Sequence, residues 1–348
     1  HYAAPNYPYT CYDVLYRTPR QHVGGCLWHS FDHQRGYHPD PFYGGLMDVF
    51  RQPKYSYYMF QAQRSPKKQD RLFETGPMVY IAHEMTPFSP KDVTVYSNCD
   101  EVRLTYNKGG KSLTYTKPVS REGMPSPIIT FKDVYNFMID KNMSMKEGRQ
   151  KEVFLLAEGL INGKVVATHK VCPARRPSKL LLWIDNENTE LKADGSDFVT
   201  VIAAIADKNG NIKRLNNYYV KFHIEGEGRI LGGANVLANP APVKWGTAPI
   251  LVQSTLKPGK IKITASVLFE GSQMPVSAEL ELESKPSAYP LIYASEEAAL
   301  IPMKSDSQSF PITAKSQKEL EKEKAVKEQN ERKLKEVEQQ QADFGEKK

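Results

Sequence analysis

The chain has 348 residues, about two-fifths of them apolar and a quarter charged, and a formal net charge of +7 from 47 basic and 40 acidic side chains. That length accommodates two or three domains, and so mild a charge, with no basic stripe interleaved with aromatics, argues against nucleic-acid binding. No apolar run approaches the ~20 residues of a membrane span, and Cys11, Cys26, Cys99 and Cys172 stand too far apart to suggest a disulfide framework or a structural zinc site.

Between Tyr9 and Arg17, residues 11, 12, 14, 15 and 16 form a roughly helical apolar stripe that Pro19 ends. Gly24-Gly25-Cys26-Leu27-Trp28 then predicts a short buried strand from Cys26 to Trp28, running into a polar and aromatic loop that reaches Asp40. A second signal, Gly44-Gly45-Leu46-Met47-Asp48 through Pro53-Lys54, leads into a predicted aromatic helix from Tyr55 to Arg64. A buried strand, a loop dense in Trp, His, Asp and Arg, and a return helix make one βα unit of an α/β barrel, whose chemistry sits on the loops at the strand carboxyl ends. One such unit cannot close a barrel or cover a parallel strand on both faces. The chain is therefore expected to begin inside a domain whose remainder lies upstream.

After a polar linker at Ser65–Asp70 the period changes to two. Strands are predicted at Met78–Ala82, Asp92–Asn98 and Glu101–Tyr106, and Asn162-Gly163 between two further strand-like runs is a strong hairpin signal. Beyond a break at Pro173–Ser178, strands are predicted at Leu180–Ile184, Phe198–Ala203, Val220–Ile224 and Lys260–Ala265. Short strands at regular turn spacing imply antiparallel sandwiches, here over 71–172 and 178–284. The remainder, 285–348, is a linker and a charged tail rich in Lys, Glu and Gln, read as a solvated helix.

The Gly-x-x-Trp-x-x-x-Asp pattern at Gly25, Trp28 and Asp32, and the Asp-x-x-Arg-x-Pro-Lys that follows at Asp48, Arg51, Pro53 and Lys54, resemble the last βα unit of the catalytic barrel of glycoside hydrolase family 2. That family contains β-galactosidases, β-glucuronidases and β-mannosidases. The Val-x-Val-Tyr-Ser-Asn run from Val93 to Asn98 resembles the immunoglobulin-like domain that follows the barrel in many of its members. Asp194-Gly195-x-Asp197, Asp207 to Gly210 and Gly226-Glu227-Gly228 resemble a further accessory domain of the same kind. The resemblance implies a mainly β fold: two immunoglobulin-like β-sandwich domains preceded, over 1–64, by the terminal βα portion of a TIM (β/α)8 barrel. It also implies a retaining β-glycosidase, most simply a β-galactosidase, in a periplasmic or extracellular setting and without a cofactor. Its partners would be a β-linked oligo- or polysaccharide and the missing upstream barrel segment.

By the same resemblance, Trp28 forms the floor of the subsite for the non-reducing sugar. Asp32, His33 and Arg35, in the same loop, could hydrogen-bond sugar hydroxyls; the alternative is an internally satisfied loop closed by an Asp32–Arg35 pair. His29, His33 and His38 with Asp40 match no zinc spacing, so no metal is expected. Retaining glycosidases need two carboxylates roughly 5 Å apart, and in this family both are glutamates from earlier barrel strands. Here the first glutamate is Glu74, past the barrel piece, which offers only Asp13, Asp32, Asp40, Asp48 and Asp70. The catalytic pair is thus expected outside this chain, and the chain alone is expected to be inactive. The rival reading is a non-catalytic β-sandwich module that binds carbohydrate or a protein, or a scaffold for the barrel.

Overall fold

A computed structural model describes residues 13–19, 21–36, 41–67, 76–107, 111–116, 123–138, 141, 153–185, 189–268 and 275–288. His38, Asp40, Asp70, Glu74 and the charged tail over 315–348 lie outside the described residues.

Alternation of apolar residues builds a first two-layered β unit. One layer is the antiparallel sheet of β1 (Val79–Ala82), β2 (Val93–Ser97) and β5 (Ile129–Phe131), in the order β1-β2-β5. The other contains β3 (Glu101–Tyr106), β4 (Lys111–Thr116), β6 (Leu155–Ile161) and β7 (Lys164–Val171), in the order β4-β3-β6-β7. In β3 every second residue is buried, as period two predicts. Val102 and Leu104 face Val79, Ile81, Val93 and Val95 across the layers in one core. The hairpin joins β6 to β7 where expected, with Asn162 and Gly163 both at positive φ (52° and 71°) and Ile161 paired with Lys164.

All five residues of β2 are buried, because its sheet is covered on both faces. Val93 and Val95 meet the opposite layer, while Tyr96 packs with Tyr55, Met59 and Ala62 at the other face. Tyr55 and Met59 lie one turn apart on helix α1 (Tyr55–Gln61), so the predicted helix exists. Its apolar side shares a core with the first β unit.

The second β unit also has two layers. One is ordered β12-β14-β10-β8, from β8 (Lys179–Asp185), β10 (Phe198–Ala206), β12 (Gly228–Ile230) and β14 (Thr247–Ser254). The other is ordered β13-β11-β15-β16-β9, from β9 (Lys192–Ala193), β11 (Tyr219–Gly226), β13 (Ala241–Pro242), β15 (Gly259–Leu268) and β16 (Ala278–Pro286). The layers close on a core that includes Val199, Val201, Ile250 and Val252 from one side and Val220, Phe222, Ile261 and Ile263 from the other. β16 continues to Pro286, two residues beyond the predicted limit, and pairs there in parallel with β9.

The two β units and the helix meet at Glu84. Its Oε1 accepts from Tyr55 Oη at 3.4 Å and its Oε2 from Arg214 Nε at 3.0 Å, while Arg214 Nη1 donates to the Trp245 carbonyl.

The predicted buried strand at Cys26–Trp28 is not formed. No strand lies there, and Cys26, Leu27 and Trp28 are exposed. A parallel strand is held by neighbours hydrogen-bonded along both edges, and among the described residues none pairs with 26–28. The segment is instead ordered by isolated bridges, Phe31 with Met47, His33 with Phe42 and Met47 with Pro53.

Candidate functional site

The loop predicted to carry the chemistry is held from beneath by an ion pair. Lys54 Nζ donates to Asp32 Oδ1 at 2.7 Å, with both side chains almost wholly buried, and also to the Tyr43 carbonyl at 3.1 Å. Gly45 N donates to the same Asp32 oxygen at 2.9 Å. Main-chain bonds tighten this knot: Asp32 N to Met47 O at 2.9 Å, Leu46 N to Ser30 O at 3.0 Å and Lys54 N to Leu46 O at 3.0 Å. The approach requires glycine at position 45, where a Cβ would collide with the backbone of Phe31 and Asp32.

Asp48 organises the adjoining turn. Its Oδ1 accepts from Phe50 N at 2.8 Å and Gln52 N at 2.9 Å, around Arg51 at φ 65°. Burial raises the Asp48 carboxyl above its ordinary value, against the lowering effect of those backbone donors.

Asp32 is only 4% exposed, and its partner is Lys54 rather than Arg35. Sequence reasoning placed Lys54 in the motif without giving it a role. The fixed spacing of the two motifs was the signal, since it joins a carboxylate to an ammonium 22 positions away.

Trp28, His33 and Arg35 do come together above this anchor. Trp28 is 87% exposed and meets His29 edge-on at 5.9 Å between ring centroids. His29 and His33 lie 4.2 Å apart, His33 and Phe42 5.5 Å, and the Arg35 guanidinium stands 5.2 Å from the Phe42 ring centre. Partial desolvation and the neighbouring His33 hold His29 below the usual histidine value. The result is a patch of exposed Trp28 and Phe42 with half-buried His29, His33 and Arg35, able to pack against an apolar face and donate hydrogen bonds at its rim. The described carboxylates before residue 65 are Asp13, Asp32 and Asp48. Asp13 accepts from Arg17 and from Met124 N, Asp32 lies in its ion pair and Asp48 in its turn. None of these faces another across an open site.

Comparison with known proteins gives a consistent result. Residues 182–268 match the model described as glycoside hydrolase family 2 C-terminal domain 5. A β-galactosidase of Thermoanaerobacter pseudethanolicus is 32% identical over 273 residues, which cover 76% of this chain and 34% of that protein. A β-galactosidase of Bacteroides ovatus is 28% identical over 261 residues, 70% of this chain and 27% of that protein. The chain thus spans about a third or less of the length of these relatives. Among solved structures, a β-glycosidase from Bacteroides vulgatus superposes with a TM-score of 0.53 at 23% identity, over 74% of this chain and 30% of that one. A β-glucuronidase from glycoside hydrolase family 2 gives 0.52 at 22% identity, over 72% and 24%. At these identities the two structures speak to the fold.

Proposed function

We propose that this chain, which belongs to glycoside hydrolase family 2, is the carboxyl-terminal portion of a retaining β-glycosidase acting on β-galactosides. In this reading residues 1–64 complete a TIM barrel begun upstream, and 71–172 and 178–284 are immunoglobulin-like sandwiches. The two catalytic glutamates belong to the upstream barrel strands. The β-galactosidase names of the curated relatives support the choice of sugar.

The observation that carries the reading is Trp28, almost fully exposed on a loop anchored by a buried ion pair. An indole held in that way offers a flat wall to the C–H face of a sugar ring. His33 and Arg35 reach the hydroxyls from the same patch. Asp32 acts as a positioning residue: it fixes the loop through Lys54 and Gly45 rather than touching sugar. A wall that fits the distorted ring better than the relaxed one lowers the barrier and does more than tighten binding.

The test is hydrolysis of an aryl β-galactoside. The 348-residue chain alone should show none above background, for want of a leaving-group acid and a nucleophile. The chain joined to its upstream segment should be active. In that longer enzyme Trp28→Ala should lower kcat/KM by about 100-fold, on the order of 3 kcal/mol, with loss in kcat as well as in KM. Turnover by the short chain, or an unchanged kcat/KM for Trp28→Ala, would contradict the respective part of the proposal.

A further inference from the structure

A cleft of about 720 Å³ lies where the loop and helix segment meets the second β unit. Its volume falls within the roughly 300–1,000 Å³ of small-ligand sites. Arg51, Tyr57 and Tyr58 line one wall; Asp185, Glu190 and Phe198 line the other. Gln52 Nε2 donates to Asp185 Oδ2 at 3.1 Å and ties the walls together across 133 positions of sequence. The Tyr57 and Tyr58 rings stand at 88° with centroids 5.4 Å apart, and Tyr58 is backed by Tyr80, stacked on it at 3.7 Å. Phe198 opens the strand on the opposite wall and is 46% exposed.

The lining is aromatic and acidic together. Three carboxylates, Asp185, Glu190 and Asp197, stand against the single guanidinium of Arg51, a formal balance of 1 − 3 = −2. Such a site repels anions. Its carboxylate oxygens and phenol groups serve a ligand rich in hydroxyl donors, and its ring planes serve flat apolar C–H faces.

We propose that this cleft, whose lining includes Phe31 of the candidate loop but not Trp28, His33 or Arg35, binds a neutral oligosaccharide. The choice of carbohydrate rests on the glycosidase reading above, whereas the cleft and its charge stand without it.

The test is calorimetric titration of the 348-residue chain with two probes, neutral β-1,4-galactotetraose and the anionic tetragalacturonate. Galactotetraose should bind and tetragalacturonate should not. Phe198→Ala, at an exposed position, should weaken the binding by at least about tenfold, while Phe88→Ala, exposed and outside the cleft lining, should change it by less than about twofold. The proposal is overturned if galactotetraose does not bind, if tetragalacturonate binds equally well, or if Phe198→Ala leaves the binding intact. Hydrolysis by the longer enzyme is read separately. An active long enzyme with no binding here removes the cleft and leaves the glycosidase reading; binding here with an inactive long enzyme does the reverse.

Discussion

Asp32 and Lys54 decide how the candidate loop is held. Each is charged and nearly inaccessible to water, so each makes the other tolerable. Lys54→Met would leave the Asp32 carboxylate buried without its counter-charge and should destabilise the protein by about 3–5 kcal/mol. The paired change Asp32→Leu with Lys54→Met should cost less than Lys54→Met alone, since no buried charge is then left and what is lost is the Gly45 amide's acceptor and the Tyr43 carbonyl's donor. Urea unfolding midpoints of the two variants check the order, and a double variant less stable than the single would contradict the ion-pair account. At this scale the sequence was half legible. It placed Trp28, Asp32 and Lys54 in two motifs, but pattern alone does not say which charge finds which, and Arg35 was nearer in sequence. The folded chain returns on itself through Gly45, and that return brings in Lys54.

The same division holds among elements. β3 and the β6–β7 hairpin were readable because their signals are local: a two-residue period and an Asn-Gly turn with positive φ at both positions. β14 is not among the predicted strands; it is an inner strand that carries Pro249 opposite Ile202 of β10. The predicted strand at 26–28 had local apolar character, but a strand also requires partners, which no local pattern supplies. Helix α1 was found, while its docking surface was not. Met59 is fully buried between the helix and the first β unit. Met59→Ala should therefore cost about 2–5 kcal/mol, seen as a lowered Tm together with faster proteolysis near residues 55–64. Cleavage there without any change in Tm would mean that the helix contributes nothing to the first core.

Across the whole molecule, a buried histidine, His83, and a half-buried one, His169, link stability to pH. His83 Nδ1 accepts from Met85 N at 3.1 Å with Nε2 2.8 Å from the Pro90 carbonyl, and His169 Nδ1 accepts from Ile81 N at 3.0 Å. Burial lowers both below the ordinary value of 6.5. The unfolded chain therefore takes up protons first as pH falls through 6.5, and stability present above that pH is lost below it. The Tm should fall between pH 7.5 and pH 5.5, and His169→Gln, whose amide oxygen can still accept from Ile81 N, should make the fall smaller. An equal fall in the variant would place the dependence elsewhere. The contacts that cross between segments carry a consequence for descent. A module passes easily between proteins by recombination when its borders demand no particular neighbour. Here Asp185 is joined to Gln52, and Arg214 to a carboxylate that also holds Tyr55, so the second β unit carries half of two handshakes whose other halves lie in the segments before it. Transplanted alone, it would leave Glu84 without its cation in the donor and bring to the host an Arg214 that keeps the Trp245 carbonyl but lacks the carboxylate. Gene fusions that move this unit are thus expected to move the preceding helix and first β unit with it, and lineages that lose it should show Glu84 replaced.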